Sequence, residues 1–564
     1  MTALIARGID QFRFNFEGIL QRTLLVLGVL FLMLGLLAPL ATMLLKSLQD
    51  QQGQFVGVAN FVEYFTNPAL FSSIINSLII ACWTTVIVVS CAFISAYALT
   101  RSGMVAKKGF RIISSLPLFA PSLLPALSMI YLFGNQGVLK DWLPVDSIYG
   151  PVGIIIGLSF WIFPHALMIL TTALANSDAR LYEAAKALKT PAWRVFFTIT
   201  LPGVRYGLVN TIFVCFTLAI TDFGVAKVIG GQYNVLATDI YKQVVGQQNF
   251  QMGAVVSIIL LCPAILSFWI ERRVQKRQTA QVGARAVAIR PEAQPIRDML
   301  LFGFCGLIGA FLLLVIGMAV YASLINFWPY NLDLTLNNYQ FDMMDGGGWE
   351  SYFNSLRMAF WVSLIGTLIV FSLAYLNEKM NVFPWLRKVM QFLAMLPMAI
   401  PGMVLGLSYI FFFNAPDNPL NVIYGTLAIL VLNTLVHFYT VCHLTAVTSL
   451  KQIDKEFESV SASLKVPFYT TFFKVTLPLC LAPVLEISVY LFVNAITTVS
   501  AVVFLYSADT TLASVAVINM DEAGDTAAAA AMAVLLMVTA LGVKGCHWLI
   551  SHQILQHTQR WRQA

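Results

Sequence analysis

The chain has 564 residues, of which 59% are hydrophobic and only 11% are charged, and its mean hydropathy is +0.78. Soluble domains carry about 25% charged residues, so this composition excludes a soluble globular protein and indicates an integral membrane protein. The net charge of +7 does not indicate nucleic-acid binding, because the basic residues cluster at the ends of apolar runs, where membrane topology explains them.

Twelve apolar runs along the chain have the length of about 20 residues that a membrane-spanning helix needs. They lie near 23–46, 72–99, 109–133, 150–174, 203–228, 252–271, 299–325, 353–377, 385–413, 421–446, 479–505 and 527–551. Between the sixth and seventh runs, the basic stretch 272–297 contains two prolines and has no apolar period, which predicts a flexible cytoplasmic linker. We therefore predict an all-α membrane protein with two transmembrane domains, residues 1–271 and 298–564.

The distribution of Lys and Arg predicts the orientation. If the N-terminus is cytoplasmic, the outward loops contain only two basic residues, Lys140 and Lys242. The N-terminus, the inward loops, the linker and the tail contain most of the others. Because basic loops stay on the cytoplasmic side, we expect both termini in the cytoplasm of a multi-pass protein of the bacterial inner membrane.

A polar stretch, residues 178–202, interrupts the apolar runs and has a degenerate copy at 454–478. The offset is 276 residues, and Asp178, Pro191 and Pro202 fall on Asp454, Pro467 and Pro478. Other pairs, such as Leu116-Pro117 with Leu396-Pro397, extend the match across both halves. With six spans in each half, the sequence predicts two parallel six-helix repeats.

Each polar stretch begins with an aspartate that can cap a helix. Leu181, Ala184, Ala185 and Leu188 then share one face at helical spacing, until Pro191 breaks the helix. From this pattern alone, the helix either lies on the lipid surface or docks into a partner. Duplication favours a partner that is present in two equivalent copies.

These stretches resemble a motif of the inner-membrane permeases of binding-protein-dependent ABC importers, E-A-A-x-x-x-G followed by I-x-L-P. Glu183, Ala184 and Ala185 match its first part, and Leu201 and Pro202 its end. The second copy has Glu458 one position early, Ser459 for the Glu, and Leu477 and Pro478 at the end. Lys189 and Lys465 replace the Gly, which puts the local turn geometry in question.

The resemblance implies that both stretches are coupling helices that seat in two ABC ATPase subunits. It implies a periplasmic binding protein that delivers the solute, and a chain in the lipid bilayer without catalytic residues, metal ligands or a cofactor. ATP and Mg would belong to the partner ATPase, since the chain lacks a G-x-x-x-x-G-K-[ST] phosphate loop. Because only the first copy keeps Glu-Ala-Ala, we predict unequal contacts, with damage at Glu183 more harmful than at Glu458.

Ionisable groups are costly inside spans, which makes Asp222 a candidate functional residue. In the resembling family the fifth span of each half lines the translocation path, so we predict a set of path-lining polar groups. This set is Thr221, Asp222, Asn494, Thr497, Thr498 and Ser500. The alternative is that Asp222 pairs with Lys227 near the outer mouth and is structural. Prolines in the third spans, such as Pro121 and Pro401, predict helix breaks.

Residues Thr221–Ala254 look most like permeases for 2-aminoethylphosphonate, with ferric-iron permeases next. A path with one carboxylate and several hydroxyls suits a zwitterion, but also other small polar solutes. Six-plus-six parallel repeats also describe a secondary transporter, although the loop Arg101–Lys108 lacks the G-x-x-x-D-R-x-G-R-R-like motif of that class. A membrane enzyme is disfavoured, because no paired carboxylates, HExxH or GxSxG pattern is present.

Overall fold

The computed structural model describes residues 2–142, 145–279, 291, 293–380, 383–454 and 456–558, with side chains excluded at 2–16, 275–279 and 554–558. In this part of the chain eight single helices are long and apolar enough to cross a membrane. They are Glu17–Ser47, Pro68–Arg101, Pro151–Ala175, Ala192–Thr221, Phe250–Val274, Pro295–Leu324, Gly348–Lys379 and Thr526–Gln553.

Four bent helix pairs raise the number of possible spans to 12 and fill the remaining predicted positions. They are Lys107–Phe119 with Leu123–Phe133, Pro384–Ala399 with Gly402–Phe413, Leu427–His437 with Tyr439–Lys451, and Phe468–Leu479 with Leu481–Thr497. We number all the spans 1 to 12 in chain order. The predicted all-α class with two six-helix repeats is confirmed.

Spans 3 and 9 are the most sharply bent, by 104° and 114°. Each bend falls just after Pro117 or Pro397 and at Pro121 or Pro401. A proline removes a backbone donor and crowds the preceding turn, so closely spaced prolines end one helix before the next begins. The predicted breaks are therefore confirmed.

Short elements connect the spans. They are the helices Ala59–Thr66, Ala179–Ala187, Gly224–Ile229, Leu236–Tyr241, Glu456–Ser463 and Ala513–Ala523, and the strands Ile325–Phe327 and Asn331–Leu334. The strands pair antiparallel in a hairpin that the sequence pattern did not predict, because both are very short. Helix Phe250–Thr279 runs into the predicted linker and helix Pro295–Leu324 leaves it; positions 280–290 and 292 lie outside the described residues.

The chain forms two compact units, which do not coincide with the two sequence halves. The larger unit contains Lys46–Trp349 and Ala513–Met537. The smaller unit contains Met1–Leu45, Glu350–Leu512 and Val538–Ala564. The first span of each half is thus packed mainly with helices of the other half.

In the smaller unit, span 1 packs closely on spans 8, 9 and 10. The Tyr409 hydroxyl donates a hydrogen bond of 2.6 Å to the Gly35 carbonyl, which lies in a wide π-helical turn, Met33–Leu37. A Cβ at Gly35 would lie 3.0 Å from Val436, and one at Gly28 only 2.3 Å from Leu373. Small residues therefore permit the close approach of these helices.

In the larger unit, span 7 is fixed to the loop between spans 2 and 3. Asp298 accepts backbone hydrogen bonds of 3.0 Å from both Gly103 and Gln294. A Cβ at Gly103 would lie 2.8 Å from the Asp298 carboxylate, so the loop needs a glycine to approach it. Further along, Phe302 packs edge-to-face on Phe110 of span 3, with ring centroids 5.3 Å apart.

Candidate functional site

The first polar stretch folds into a short helix, Ala179–Ala187, which we call the first loop helix. The Asp178 side chain accepts a hydrogen bond of 3.1 Å from the Arg180 backbone, which confirms the predicted cap. The helix ends at Lys189, which is left-handed with φ 51°. Backbone bonds from Lys189 to Lys186 and from Thr190 to Ala185, both 3.0 Å, form a Schellman motif.

The second polar stretch repeats this geometry around helix Glu456–Ser463, the second loop helix. Asp454 caps it through Glu456 at 3.1 Å, and Lys465 ends it with φ 53°. Bonds from Lys465 to Ala462 and from Val466 to Ser461 complete the second Schellman motif. The missing glycines therefore do not change the turn: two lysines adopt the left-handed conformation that glycine adopts more easily.

Both loop helices carry an exposed apolar stripe at equivalent positions. The stripe consists of Leu181, Ala184 and Leu188 in the first helix and Phe457, Val460 and Leu464 in the second. The larger side chains are 47–79% exposed. Ala185 was predicted on the same face, but it is buried against the chain. A stripe at i, i+3 and i+7 that its own chain leaves uncovered can pack on another surface.

The two glutamates of the motif do not occupy equivalent places. Glu183 is exposed, and Ser459 stands at the equivalent position of the second loop helix, where it is exposed as well. Glu458 is instead equivalent to Tyr182. Its carboxylate lies 3.0 Å from Lys379 Nζ, and its side chain is only 19% exposed. Glu458 therefore faces Lys379 of its own chain, and its predicted contact with the ATPase stays a prediction.

Tyr182 is held by the same part of its own half. The Arg101 guanidinium lies over its ring at 4.9 Å from the centroid, and its hydroxyl donates to Thr200 at 3.1 Å. Arg101 and Lys379 are the last residues of spans 2 and 8. In both copies, a basic residue at the end of the second span thus contacts the loop helix.

The Leu-Pro pairs Leu201-Pro202 and Leu477-Pro478 were expected at the start of the next spans. Leu201-Pro202 lies inside a continuous helix instead, whereas Leu477-Pro478 lies just before the 79° bend of span 11, after which helix Leu481–Thr497 begins. Span 5 begins at Ala192, and span 11 at Phe468. Wide π-helical turns, Phe196–Thr200 and Phe472–Thr476, come immediately before each pair. A proline ring clashes with the carbonyl four residues earlier, and a wider turn relieves that clash, so span 5 passes through Pro202 as one helix.

Span 5 ends earlier than predicted, at Thr221, because Asp222 stands in extended conformation and starts a new short helix. Its carboxylate accepts a hydrogen bond of 2.9 Å from the Val225 backbone and another from the Ser122 hydroxyl. Asp222 therefore caps helix Gly224–Ile229. Its predicted alternative partner, Lys227, forms an ion pair with Glu522 instead.

The other predicted path groups cluster at the ends of spans 5 and 11. The hydroxyls of Thr221 and Thr497 donate to their own helices, each at 2.8 Å. Asn494 donates to the Tyr490 carbonyl at 2.8 Å. Thr498 is buried, and Ser500 is partly exposed. Most of these polar groups are thus already satisfied by backbone atoms of their own span.

In each unit the break after the fifth span of the repeat touches the break in its third span. A Cβ at Gly224 would lie 2.3 Å from Ser122 Oγ, and one at Gly402 would lie 2.5 Å from Ser500 Oγ. By position, Gly402 corresponds to Ser122, and Ser500 to Gly224. Both repeats therefore place one serine against one glycine, with the two residues exchanged. Sequence comparison at drifting offsets of 280 and 276 could have found this exchange.

Sequence reasoning also missed buried carboxylates in short helices outside the spans. Burial raises the pKa of Asp239 to about 6, although the Ser73 hydrogen bond and Lys242 oppose the shift. Burial and then Glu522 raise the pKa of Asp521 to about 6, against Lys227. Nothing in the local pattern distinguishes these two aspartates from exposed ones. Among the described residues, no group of three or more His, Cys, Asp and Glu could hold a metal ion.

A family model described as binding-protein-dependent transport system inner membrane component matches residues 88–280 and 366–551. This chain belongs to that family. The two matches confirm the duplication, and family membership makes the chain a multi-pass inner-membrane permease. It is not an enzyme: ATP hydrolysis belongs to a separate subunit, and a binding protein is the other partner that the family implies.

Similar proteins that align with most of this chain include ferric transport permeases. A ferric transport system permease of Actinobacillus pleuropneumoniae is 28% identical, over 88% of this chain and 72% of its own length. A putative ferric transport permease of Haemophilus influenzae is 29% identical, over 80% and 72%. A solved ABC transporter for import of the acidic polysaccharide alginate is 15% identical with a TM-score of 0.37, and covers 48% of this permease and 99% of its own chain.

Proposed function

We propose that this permease forms the translocation path of an ATP-driven importer, and that two ATPase subunits dock on its two loop helices. The observation that carries the proposal is the repeated exposed stripe, Leu181, Ala184 and Leu188 with Phe457, Val460 and Leu464. Identical caps and identical Schellman ends give both helices one geometry, which suits a partner present twice. Glu183, Ala184 and Lys189 of the first helix, and Ser459 and Lys465 of the second, would line these contacts.

The proposed orientation has both termini and both loop helices in the cytoplasm. Its support is the small number of basic residues, only Lys140 and Lys242, in the loops assigned to the outside. The basic linker, the basic first polar stretch and the second polar stretch, which has equal numbers of basic and acidic residues, then face the ATPase. A periplasmic binding protein would deliver the solute at the opposite face.

The proposed path runs along the paired breaks of the third and fifth spans in each repeat. Broken helices expose backbone groups where a polar solute can bind, and transporters place such breaks at their solute sites. Asp222 and Ser122 lie at one paired break, and Ser500 at the other. Thr498 contributes the hydroxyl equivalent to Asp222.

The relatives favour one of the two expected cargoes. Ferric iron is supported by the relatives that align with most of this chain, which are named as ferric transport permeases. 2-Aminoethylphosphonate stays an expectation from the resemblance of Thr221–Ala254, and none of the relatives reported above is named for it. The relatives are only 28–29% identical and align with most of this chain. Their similarity therefore reflects the shared permease fold as much as a shared cargo.

Docking can be tested by purification of the permease in mild detergent together with the ATPase encoded for the same system. We expect two ATPase subunits per permease chain. Leu188→Asp and Leu464→Asp should each weaken copurification, because a charge in a packed apolar contact is costly. Val422→Asp is the matched control, since Val422 is equally exposed, at 80%, but lies outside both loop helices. Full copurification of both stripe variants would contradict the proposal.

The cargo can be tested in proteoliposomes that contain the permease and ATPase, with the binding protein outside. Uptake of radiolabelled ferric iron and of 2-aminoethylphosphonate should be compared at equal binding-protein occupancy. ATP-dependent uptake of one and not the other would select the cargo. Uptake that persists without the ATPase would favour a secondary transporter instead.

A further inference from the structure

We propose that Arg101 and Lys379 are positioning residues that tether each loop helix to the second span of its own half. Through these tethers, spans 2 and 8 would carry the displacement of the loop helices into the membrane. This inference rests on the proposed docking of the ATPase, and it adds which spans are driven and through which atoms.

The first argument is that both tethers occur at equivalent places. Arg101 ends span 2 and Lys379 ends span 8, at an offset of 278 residues. They contact Tyr182 and Glu458, which are equivalent at the offset of 276. The contact is therefore repeated with different side chains. Arg101 contacts Tyr182 in the first copy, and Lys379 contacts Glu458 in the second. Because different side chains make a contact at the same position in both copies, we infer that the contact itself is required.

The second argument is how each basic side chain is bound. Arg101 Nη2 donates to the Leu174 carbonyl at 2.8 Å, just before the first loop helix, while its guanidinium lies on the Tyr182 ring. Lys379 Nζ donates to the Ile453 carbonyl at 3.0 Å, just before the second loop helix. Each cation thus holds both the approach to its loop helix and one residue within it.

The third argument is burial. Arg101 is 7% exposed, and the side chain of Lys379 is 5% exposed. Buried cations are costly unless they are well paired, and their interactions are stronger than those at a surface. Surface ion pairs contribute little, so a simple solubility role would not require burial of both.

In each of these spans, an aromatic layer lies one to two turns before the basic residue that ends the span. Phe93 and Tyr97 of span 2 pack on Phe196, with ring centroids 6.0 and 6.4 Å apart. The equivalent rings of span 8, Phe371 and Tyr375, pack on Phe472 at 5.9 and 4.8 Å. Each second span therefore contacts its polar stretch at two levels. Two contacts at different heights fix both the distance and the angle between the span and its polar stretch. The span can then follow a displacement of the loop helix.

The two tethers differ in one testable respect. The second tether, Lys379 with Glu458, is an ion pair, so the two charges can be swapped between its residues. The first tether, Arg101 over Tyr182, is a cation on an aromatic ring, so it has no opposite charge to swap. Lys379→Glu and Glu458→Lys each place like charges together at the second tether. The double variant, with both changes, restores an ion pair of opposite polarity. Glu456→Lys is the matched control, because Glu456 is an exposed acid in the same helix.

The first measurement uses the purified permease alone and follows hydrogen exchange in the second loop helix, Glu456–Ser463. We expect each single variant to raise the exchange rate by about tenfold, the ratio that corresponds to about 1.4 kcal/mol. The double variant and the control should stay within about threefold of the unchanged chain, on the same scale. Unchanged exchange in both single variants would overturn the tether.

The second measurement uses the complex with ATPase and binding protein in proteoliposomes and compares solute transported per ATP hydrolysed. We expect this ratio to fall about tenfold in Lys379→Glu and to recover in the double variant, with the ATPase bound in both. An unchanged ratio in Lys379→Glu would overturn the role of span 8 in carrying the displacement. A neutral pair, Lys379→Gln with Glu458→Gln, replaces the reversals if either fails to fold. Loss of ATPase binding by the unchanged permease would instead refute the docking, while the exchange measurement still decides the tether.

Discussion

Replacement of Lys189 by glycine should stabilise the first loop helix. Lys189 holds φ at 51° in the Schellman motif that ends this helix. For an L-residue that conformation costs about 1–2 kcal/mol, because Cβ crowds the following carbonyl oxygen. Glycine has no Cβ, but its greater freedom in the open state returns about 0.5–1 kcal/mol of this gain. We therefore expect the local stability to rise by about 0.5–1 kcal/mol.

A second glycine variant tests whether the stabilisation at Lys189 comes from its left-handed backbone conformation. Lys186→Gly makes the same change three residues earlier, within the helix, where glycine is less favourable than other residues by about 1 kcal/mol. Hydrogen exchange of residues 179–190 in detergent should therefore slow for Lys189→Gly and quicken for Lys186→Gly. A change of about 1 kcal/mol corresponds to about fivefold in rate. Equal acceleration by both variants would refute the assignment of the left-handed turn.

Three further results are expected from thermal unfolding in detergent. Gly224→Ser should destabilise the permease by about 1–3 kcal/mol through overpacking, and Ser122→Gly added to it should recover at least half of that loss. Gly207→Val should destabilise by a similar amount because a Cβ there would lie 2.4 Å from a neighbouring methyl group, whereas at Gly203 the nearest atom is 4.0 Å away and little change is expected. Asp239→Asn should stabilise the protein by about 2–3 kcal/mol at pH 7.5, and this advantage should vanish near pH 4. The sign follows from the raised pKa, about 6 against the ordinary 3.8: the buried carboxyl binds a proton more tightly when folded, so stability falls as pH rises between these values. A variant advantage that is independent of pH would contradict this reasoning.

Much of the fold followed from simple rules, because a bilayer allows few solutions for a long apolar chain. Twelve apolar runs, two helix breaks at closely spaced prolines and two aspartate caps are all read from local residue types, and all are present. The left-handed ends could also be located, since Lys189 and Lys465 stand where the family motif has glycine.

Other features depend on neighbours that are distant in sequence. Span 5 passes through Pro202 because a wide turn precedes it, and no propensity signals such a turn in advance. The offset of 276 makes Glu458 equivalent to Tyr182, but the contact of Glu458 with Lys379, which lies far upstream, could not be read from the local pattern. The roles proposed for the path residues and for the ATPase contacts stay predictions.

The composition of the two units has a consequence for biosynthesis. Span 1 leaves the ribosome early, yet the smaller unit to which it belongs resumes only at Glu350, about 300 residues later. At about 5–20 residues per second, that helix waits about 15–60 s before its packing partners exist. The larger unit likewise stays incomplete until Met537 has been made. Packing of span 1 into its unit must therefore wait until the second half of the chain has been made.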